Sequence, residues 1–286
     1  MSNHKAADAT TRQSNVDHAV VSDFGDEWQR FDQSALTDSE RKSQFEGYFS
    51  LFPWDSLPQD AVGFDAGCGS GRWATLVAPR VAHLHCVDPS GALEVARKNL
   101  ESFQNCSFHR VTIDDMPFAD DSMDFGYSLG VLHHLPDTQR GVRDCVRKLK
   151  SGSPFLVYLY YAFDNQPVWF RSLWKASDIV RRVICRLPAG VKYFLSQIIA
   201  LAVYYPLARM ALGWEKMGFP VHSWPLSAYR DRSLYSMRTD ALDRFGTTLE
   251  KRFTRRQIQH MLEAEGLERV QFSSHPPFYC AVGYKK

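Results

Sequence analysis

The chain has 286 residues, 44% of them hydrophobic and 23% charged, which suffices for one globular domain with a sizeable insertion. Its formal net charge of +2 argues against a nucleic-acid partner, because proteins that bind nucleic acid usually carry a stronger basic excess. The six cysteines are scattered, without C-x-x-C pairs or nearby histidines at ligand spacing. We therefore expect reduced thiols, no metal site and a cytoplasmic location.

The N-terminal region divides into two parts. Residues 1–20 are rich in small polar residues and lack the apolar segment of a secretory signal, so we expect them to be flexible. Residues 21–58 are predicted to form a helical cap, in which Thr37 and Glu40 fit a capping box that opens a helix through about Phe49. Two interpretations of Trp28 stay open: with Arg30 it helps to close a binding site, or it fastens the N-terminal helix to the rest of the domain.

Residues 63–72, G-F-D-A-G-C-G-S-G-R, place three alternating glycines between a short apolar strand and a helix. Gly67, Gly69 and Gly71 can adopt positive φ and carry no Cβ, so the backbone can turn sharply and approach a ligand closely. The spacing G-x-G-x-G differs from that of dinucleotide folds and of phosphate loops. Taken alone, the pattern fits a plain tight turn equally well.

A second apolar run, residues 81–87, ends in Asp88-Pro89-Ser90, where Ser90 can cap a helix over 92–100. An acidic residue at the tip of a second strand, about 20 residues after the glycines, is where nucleotide-binding folds hold a ribose. Further elements are predicted as strands at 108–111, 124–135 (running into a helix), 155–161, 267–272 and 278–284, and as a helix from Thr254 to Ala264 that Gly266 ends.

Five motifs in this order resemble the class I S-adenosylmethionine (SAM)-dependent methyltransferases, especially their small-molecule branch. The motifs are D-A-G-C-G-S-G at 65–71, V-D-P-S at 87–90, M-P-F at 116–118, the run from Asp124 to His134, and L-K-S-G-S at 149–153. The departures are Met116 in place of leucine and Ser-Gly-Ser at 151–153 in place of Pro-Gly-Gly. These positions shape turns and core and do not bond the cofactor.

The resemblance covers residues 60–161 well and the tail more loosely. It implies an α/β fold: a Rossmann-like, seven-stranded, mostly parallel sheet with an antiparallel C-terminal hairpin and a helical insertion after the fifth strand. On this basis we predict a SAM-binding core at 59–161, a helical substrate-cap insertion at 162–236, and a segment at 237–286 that completes the core.

The resemblance also implies the roles of individual residues toward SAM, with S-adenosylhomocysteine as the product. The glycine loop would pass under the methionine part, Asp65 would orient that loop, Asp88 would accept hydrogen bonds from both ribose hydroxyls, and Asp114 would meet the adenine. The cofactor-binding positions are Asp65, Gly67, Cys68, Gly69, Gly71, Asp88, Pro89, Ile113, Asp114, Ser128, Leu129, Trp28 and Arg30.

Methyl transfer needs an acceptor held in line with the donor, and a base only where the acceptor must lose a proton. The candidates at the mouth of the site are His134, His133, Tyr160, Tyr161, Tyr229 and Arg230. His134 is the first choice, although both histidines fit helix packing as well. Because strand side chains alternate, only one of Tyr160 and Tyr161 should face the cavity. The charged stretch 229–253 is either an ion-paired structural segment or an arginine clamp for an anionic acceptor.

The insertion is aromatic and basic, with four tryptophans and an excess of lysine and arginine. Its most apolar run, residues 193–208, is interrupted by Ser196, Gln197 and Pro206, so we predict no transmembrane helix, which needs roughly 20 apolar residues. Four interpretations stay open: a packed helical lid, a lid that lines an apolar substrate pocket, an interfacial helix that gives peripheral contact with an anionic membrane, and a homodimer surface.

The sequence therefore predicts a SAM-dependent methyltransferase that acts on a small-molecule acceptor, hydrophobic or lipid-like, at O, N, C or S. The alternative is a SAM-binding protein of another kind: an enzyme with carboxylated-SAM or cyclase chemistry, or a non-catalytic subunit. A dinucleotide oxidoreductase is the rival at the level of the fold.

Overall fold

A computed structural model describes residues 14–286, and in this part of the chain seven strands form one sheet in the order β3-β2-β1-β4-β5-β7-β6. The strands are β1 Val62–Ala66, β2 His83–Val87, β3 Cys106–His109, β4 Phe125–Leu129, β5 Pro154–Tyr158, β6 Leu267–Phe272 and β7 Ala281–Lys285. Strands β1 to β5 pair in parallel, whereas β7 is antiparallel to both β5 and β6. The predicted mostly parallel sheet with an antiparallel C-terminal hairpin is confirmed.

The helices connect and flank these strands. They are α1 His18–Arg30, α2 Asp38–Tyr48, α3 Ala74–Val77, α4 Ala92–Asn99, α5 Thr138–Lys148, α6 Val168–Ile184, α7 Ala189–Ile199, α8 Tyr205–Lys216, α9 Leu234–Gly246 and α10 Arg255–Ala264. The capping box that starts α10 at Thr254 forms with Gln257, and Gly266 follows with φ +89°, as predicted.

The order of the strands places the binding edge. From β1 the chain moves outward through β2 to β3, then returns to the other side of β1 to add β4 and β5. Ligands in such sheets bind outside the carboxyl ends of the strands where the order reverses, here between β1 and β4. Strand β5 is buried over its whole length, as expected for a central strand covered on both faces.

The N-terminal cap begins earlier than the sequence suggests. Of the segment predicted to be flexible, residues 1–13 lie outside the described residues, but residues 14–20 pack on the domain and helix α1 already begins at His18. Asp17 caps this helix by accepting a hydrogen bond from the Ala19 amide at 2.9 Å, and Asn15 is only 5% exposed. A capped helix start with a buried side chain next to it explains the difference.

One of the two predicted contacts of the capping box at the start of α2 forms. Thr37 caps the helix, accepting from the Glu40 amide at 3.3 Å. The Glu40 carboxylate does not return to the cap; it instead accepts hydrogen bonds from the Ser233 amide and the Ser236 hydroxyl, at 3.1 and 2.6 Å. The cap is thereby tied to the start of α9.

The insertion forms its own helical layer, and this layer includes α9. Met237, Ala241 and Phe245 of α9 form one buried cluster with Ile184 of α6 and with Ala200, Tyr204 and Ala208 of the following helices. The boundary predicted at residue 237 therefore falls inside α9, because the apolar face of that helix packs on the insertion.

Helices α7 and α8 are continuous through a π-helical turn at Ala200–Tyr204. The resulting helix Ala189–Lys216 has 28 residues and a mean hydropathy of 1.4 in its most apolar window, so by length and composition alone it could cross a membrane. The sequence argument against such a helix is therefore wrong in its premise that Pro206 interrupts the run. Pro206 lies in the first turn of α8, directly after the widened turn, where its missing N–H is tolerated.

Candidate cofactor-binding and active site

The main cavity lies at the carboxyl ends of β1, β2 and β4. It encloses about 910 Å³ of non-atom space, a volume that includes its open mouth. Its floor comes from the loops 67–73, 88–90, 112–113 and 129–131. Its roof comes from residues 15–28, which are the N-terminal strap and the first turns of α1. The cavity thus occupies the edge that the sheet topology selects.

The glycine loop forms the floor with the predicted backbone. Gly67, Gly69 and Gly71 have φ values of +84°, +52° and +74°. The amides of Gly67 and Cys68 both donate to the Val87 carbonyl, at 2.8 and 3.0 Å, and so fasten the loop to the end of β2. A Cβ added at Gly67 would lie 2.5 Å from Val131, which shows how closely the two loops pack.

Asp88 is held rigidly beside this loop. Its Oδ2 accepts from the Gly69 amide at 2.9 Å, and its Oδ1 accepts from the amide and hydroxyl of Ser90 at 2.8 and 2.6 Å. The side chain lines the cavity although the residue is only 8% exposed. Because two carboxylate oxygens offer about four lone-pair sites and three are used within the protein, Asp88 retains capacity for one further donor, such as a ribose hydroxyl.

Asp65 lies behind the loop and does not line the cavity. Burial raises its pKa to about 8, the nearby Asp88 charge adds to this, and the Tyr127 hydroxyl offsets part of it. Its Oδ2 has no hydrogen-bond partner among the described residues. A buried carboxyl with an open acceptor atom is suited to stabilising a cationic group bound in front of the loop.

The roof over the cavity is apolar. Val20, Val21, Phe24 and Trp28 of α1 all line it. The Trp28 indole Nε1 lies 2.9 Å from where a Cβ at Gly69 would be, so this ring covers the glycine loop directly. Trp28 therefore lines the cavity above the glycine loop, and its role in closing the site around a bound cofactor stays a prediction.

Some predicted cofactor positions do not reach the cavity. The Ser128 hydroxyl donates to the Ala66 carbonyl at 2.8 Å, and Asp114 binds the Asn15 amide at 3.0 Å and Arg140 at 3.1 Å. Arg30 is exposed and its guanidinium lies over the Tyr193 ring, 4.8 Å from the centroid. The expected role of Arg30 at the cofactor is wrong, because the helix directs it to the insertion. The lining does include Trp28, Gly67, Cys68, Gly69, Asp88, Pro89, Ile113 and Leu129.

His134 reaches the cavity, and His133 lies behind it. The His134 Nδ1–H donates to the Leu249 carbonyl at 2.6 Å, which leaves Nε2 as an acceptor without a partner among residues 14–286. Burial lowers the His134 pKa to about 4, so the ring is neutral at pH 7. His133 is fully buried, and its ring stacks 3.8 Å from the Tyr160 ring centroid.

Tyr160 and Tyr161 diverge, as strand alternation requires. The Tyr160 hydroxyl donates to Asp243, whereas Tyr161 packs against Phe278 and Tyr279 near the C-terminal hairpin. Neither residue lines the cavity, although Tyr160 contacts the histidine pair.

The prediction of Tyr229 and Arg230 as residues of the mouth is wrong. Tyr229 is packed against Tyr204 inside the insertion, and Arg230 pairs with Glu215 at 2.7 Å. Both groups are satisfied within the helical layer. No residue of the insertion 162–236 lines the cavity in the described structure.

Comparison with known proteins agrees with this geometry. A family model described as "Methyltransferase domain" matches residues 64–157, the part that holds the glycine loop, Asp88 and the histidine pair. Residues 64–157 carry a methyltransferase domain.

Curated relatives of this methyltransferase domain include enzymes with different acceptors. The chain is 28% identical over 163 residues to demethylmenaquinone methyltransferase of Tropheryma whipplei, 56% of this chain and 66% of that protein. It is 35% identical over 101 residues to ubiquinone biosynthesis O-methyltransferase of Hahella chejuensis, 34% and 42% of the two chains. It is 29% identical over 108 residues to tRNA (carboxymethyluridine(34)-5-O)-methyltransferase of Saccharomyces cerevisiae, 36% and 37%.

The chain thus spans between 37% and 66% of the length of these relatives. Among solved structures, a Haloferax volcanii methyltransferase in complex with the Trm112 activator aligns with 91% of this chain and 96% of its own, at 13% identity and a TM-score of 0.48.

The residues of the methyltransferase domain fit SAM. The cradle at Gly67 and Gly69 is open only because a Cβ is absent there, Asp88 offers a free lone pair at the cavity wall, and Asp65 has a buried oxygen without a hydrogen-bond partner among the described residues. These three features would hold the methionine part, the ribose and the positive charge respectively.

Sequence reasoning missed two buried acids. Burial, and then the nearby charge of Asp243, raise the pKa of Glu27 of α1, and burial raises the pKa of Asp243 of α9 to about 7. Glu27 is 3% exposed. The signal in the sequence is weak: Glu27 falls on the buried face of α1 with Val20, whereas Asp243 lies away from the apolar face of α9.

Proposed function

We propose that the chain transfers a methyl group from SAM to a small, apolar acceptor. The observation that carries this proposal is Asp88, held rigidly beside a glycine floor at the switch point of the sheet, facing a cavity with an apolar roof. SAM supplies an activated methyl donor, so binding and alignment of the acceptor remain as the work of the protein.

The composition of the cavity wall supports an apolar acceptor. Beyond the cofactor loops, the lining consists mainly of Val16, Val20, Val21, Phe24 and Leu135. Two relatives have names that refer to quinone biosynthesis, and one has a name that refers to tRNA. The apolar wall and the net charge of +2 favour an aromatic, quinone-like acceptor over a nucleic acid.

His134 is suited to orient this acceptor. Because its Nδ1–H is engaged by Leu249, the neutral ring presents the Nε2 lone pair at the cavity wall, where a hydroxyl or amine of the acceptor can donate to it. With a pKa of about 4 the ring is a weak base, so we assign it to positioning. Asp243, with a pKa of about 7, is the stronger proton acceptor and lies behind Tyr160.

We also propose that the enzyme works in the cytoplasm. Its six cysteines are all free thiols in the structure, and five of them are buried. Thiols that stay reduced are typical of proteins of a reducing compartment.

Isothermal titration calorimetry with S-adenosylhomocysteine tests the cofactor site. Asp88→Ala should weaken binding about 10-fold, because it removes a hydrogen bond to a charged group worth roughly 1.5 kcal/mol. Asp60→Ala, at an exposed acid on the loop before β1, is the matched control and should bind as the wild type. Unchanged affinity in Asp88→Ala would contradict the proposed site.

Methyl transfer itself is tested with methyl-labelled SAM and a metabolite extract enriched in apolar aromatic compounds. Label that moves into an organic-extractable product supports the proposal. Bound but unconsumed SAM would favour a non-catalytic binding protein, and label in RNA would favour a tRNA acceptor.

A further inference from the structure

The exposed large apolar side chains of residues 14–286 are confined to one part of the insertion. Their exposed fractions reach 70% at Val168 and 67% at Ile179. They are Val168, Trp169, Leu173, Ile179, Val180, Val183, Val191, Phe194, Ile198, Leu201, Val203, Tyr205, Met210, Trp214, Met217 and Phe219. So concentrated an apolar surface on a folded chain marks an interaction site.

Helix α6 divides into three longitudinal sectors when its residues are placed at 3.6 per turn. The buried sector, with Asp178, Arg181 and Ile184, faces α9. The apolar residues from Val168 to Val183 occupy an adjacent arc of about 140°. The exposed cations Arg171, Lys175 and Arg182 occupy the remaining edge.

The continuous helix α7–α8 shows a second apolar stripe. Val191, Phe194, Ile198, Leu201 and Tyr205 recur at intervals of three and four residues on its exposed side. On α8 the exposed apolar residues Met210 and Trp214 lie further around the helix than this stripe, whereas Ala208 and Ala211 are buried on the side that faces the other helices. Two neighbours of α9 therefore present apolar faces with nothing packed on them in the described structure.

The charges on this surface have one sign. Arg171, Lys175, Arg186 and Lys216 are exposed and have no acidic partner among the described residues, while the exposed Glu215 is neutralised by Arg230. A symmetric contact between two copies would bring these cations together, which disfavours a homodimer. Anionic lipid headgroups are complementary to the cations, and Trp169, Trp214 and Tyr205 are of the type enriched at the membrane interface.

We propose that the exposed faces of α6 and α7–α8 dock peripherally on an anionic membrane. The apolar arcs enter the headgroup–acyl boundary and the cations contact the phosphates. Helix α7–α8 lies in the interface and does not cross the bilayer, because its buried side carries polar groups satisfied inside the protein. Lys192 pairs with Asp23 at 2.5 Å, and Arg209 donates to the Arg230 carbonyl at 2.6 Å.

Vesicle flotation tests this docking surface. The full chain should float with phosphatidylcholine vesicles that contain about 30% phosphatidylglycerol. It should bind at least tenfold more weakly to vesicles of pure phosphatidylcholine, and at least tenfold more weakly to the anionic vesicles in about 1 M salt. Arg171→Gln with Lys175→Gln and Lys216→Gln should lower partitioning about 100-fold, at about fivefold per cation. A matched triple variant, Lys42→Gln, Lys98→Gln and Arg256→Gln, removes three exposed cations elsewhere and should partition as the wild type.

The apolar contribution is tested separately with Ile179→Gln and Val183→Gln together, which should also release the protein from the anionic vesicles. Retained S-adenosylhomocysteine binding shows that each variant is folded. No flotation at low salt, equal loss in both triple variants, or a stable dimer by light scattering in the absence of vesicle binding would overturn the proposal. Resistance to extraction at high salt and alkaline pH would overturn the peripheral geometry in favour of a spanning helix.

Discussion

Gly67→Ala should destabilise the protein more than alanine at a glycine that has a positive φ but open space around the added Cβ. Gly67 has φ +84°, and an added Cβ would lie 2.5 Å from both Cγ atoms of Val131. The left-handed backbone alone costs about 1–2 kcal/mol for an L-residue. Overpacking against Val131 adds about 1–3 kcal/mol, because a β-branched side chain has few rotamers to yield into.

Gly130→Ala is the matched control, since Gly130 has φ +79° and nothing within 4 Å of the added Cβ. Chemical denaturation should therefore show a loss of about 1–2 kcal/mol for Gly130→Ala and about 2–5 kcal/mol for Gly67→Ala. Val131→Ala should rescue Gly67→Ala and not Gly130→Ala, giving a coupling energy of about 1–3 kcal/mol in a double-mutant cycle.

The same variants separate folding from binding. Gly67→Ala displaces the floor of the cavity and should weaken S-adenosylhomocysteine binding, whereas Gly266→Ala, with φ +89° at the end of α10, should leave affinity unchanged. Equal destabilisation of Gly67→Ala and Gly130→Ala, or no rescue by Val131→Ala, would refute the packing argument.

Three further outcomes are expected. The pKa of Asp65 is raised to about 8, and the bound α-ammonium group of S-adenosylhomocysteine favours the ionised form of this carboxyl, so the affinity for S-adenosylhomocysteine should rise from pH 6 to pH 8. The substitution Asp65→Asn should remove that pH dependence, as measured by calorimetry. Because burial lowers the His134 pKa to about 4, the free energy of unfolding should fall as the pH drops from 6.5 to 4. Urea unfolding of His134→Asn should show a less steep fall over the same pH range. Arg181→Met breaks a buried ion pair with Asp178 (2.6 Å) and should lower the free energy of unfolding by about 3 kcal/mol. Arg182→Met, which removes a side chain that is 67% exposed, should lower it by less than about 1 kcal/mol. Similar losses in the two variants would contradict this explanation.

The cofactor half of the site could be predicted from the sequence because its residues are close in the chain. The glycine loop and Asp88 belong to two successive strand ends, and the parallel pairing of β1 with β2 brings them together without any long-range information. The direction in which individual side chains point could not be predicted from the sequence in the same way. Asp114 follows the predicted motif, yet its carboxylate binds Asn15 and Arg140.

The acids that sequence reasoning missed could not be predicted because distant segments bring them together. Asp243 contacts Tyr160 across 83 positions, and Glu27 comes from the far end of the chain. Tyr229 looked like a site residue because it begins a polar stretch, but the pattern does not reveal that its ring packs on Tyr204. The insertion was predicted to be the substrate cap and only Trp28 of the N-terminal segment was proposed to close the site, whereas the apolar face of α1 supplies the roof.

Direct contacts connect the roof of the cavity to the helices that carry the proposed docking surface. Lys192 of α7 holds Asp23 on α1 at 2.5 Å and the Gly246 carbonyl of α9 at 3.1 Å. Helix α1 therefore covers the cavity with its apolar face and is fastened to the insertion through its polar face, next to the layer whose outer side is apolar and basic. If that outer side rests on lipid, the roof is held close to the membrane. An apolar acceptor dissolved in the bilayer then has a short route to the cavity, which is why an apolar substrate and a membrane surface are mutually consistent inferences from this chain.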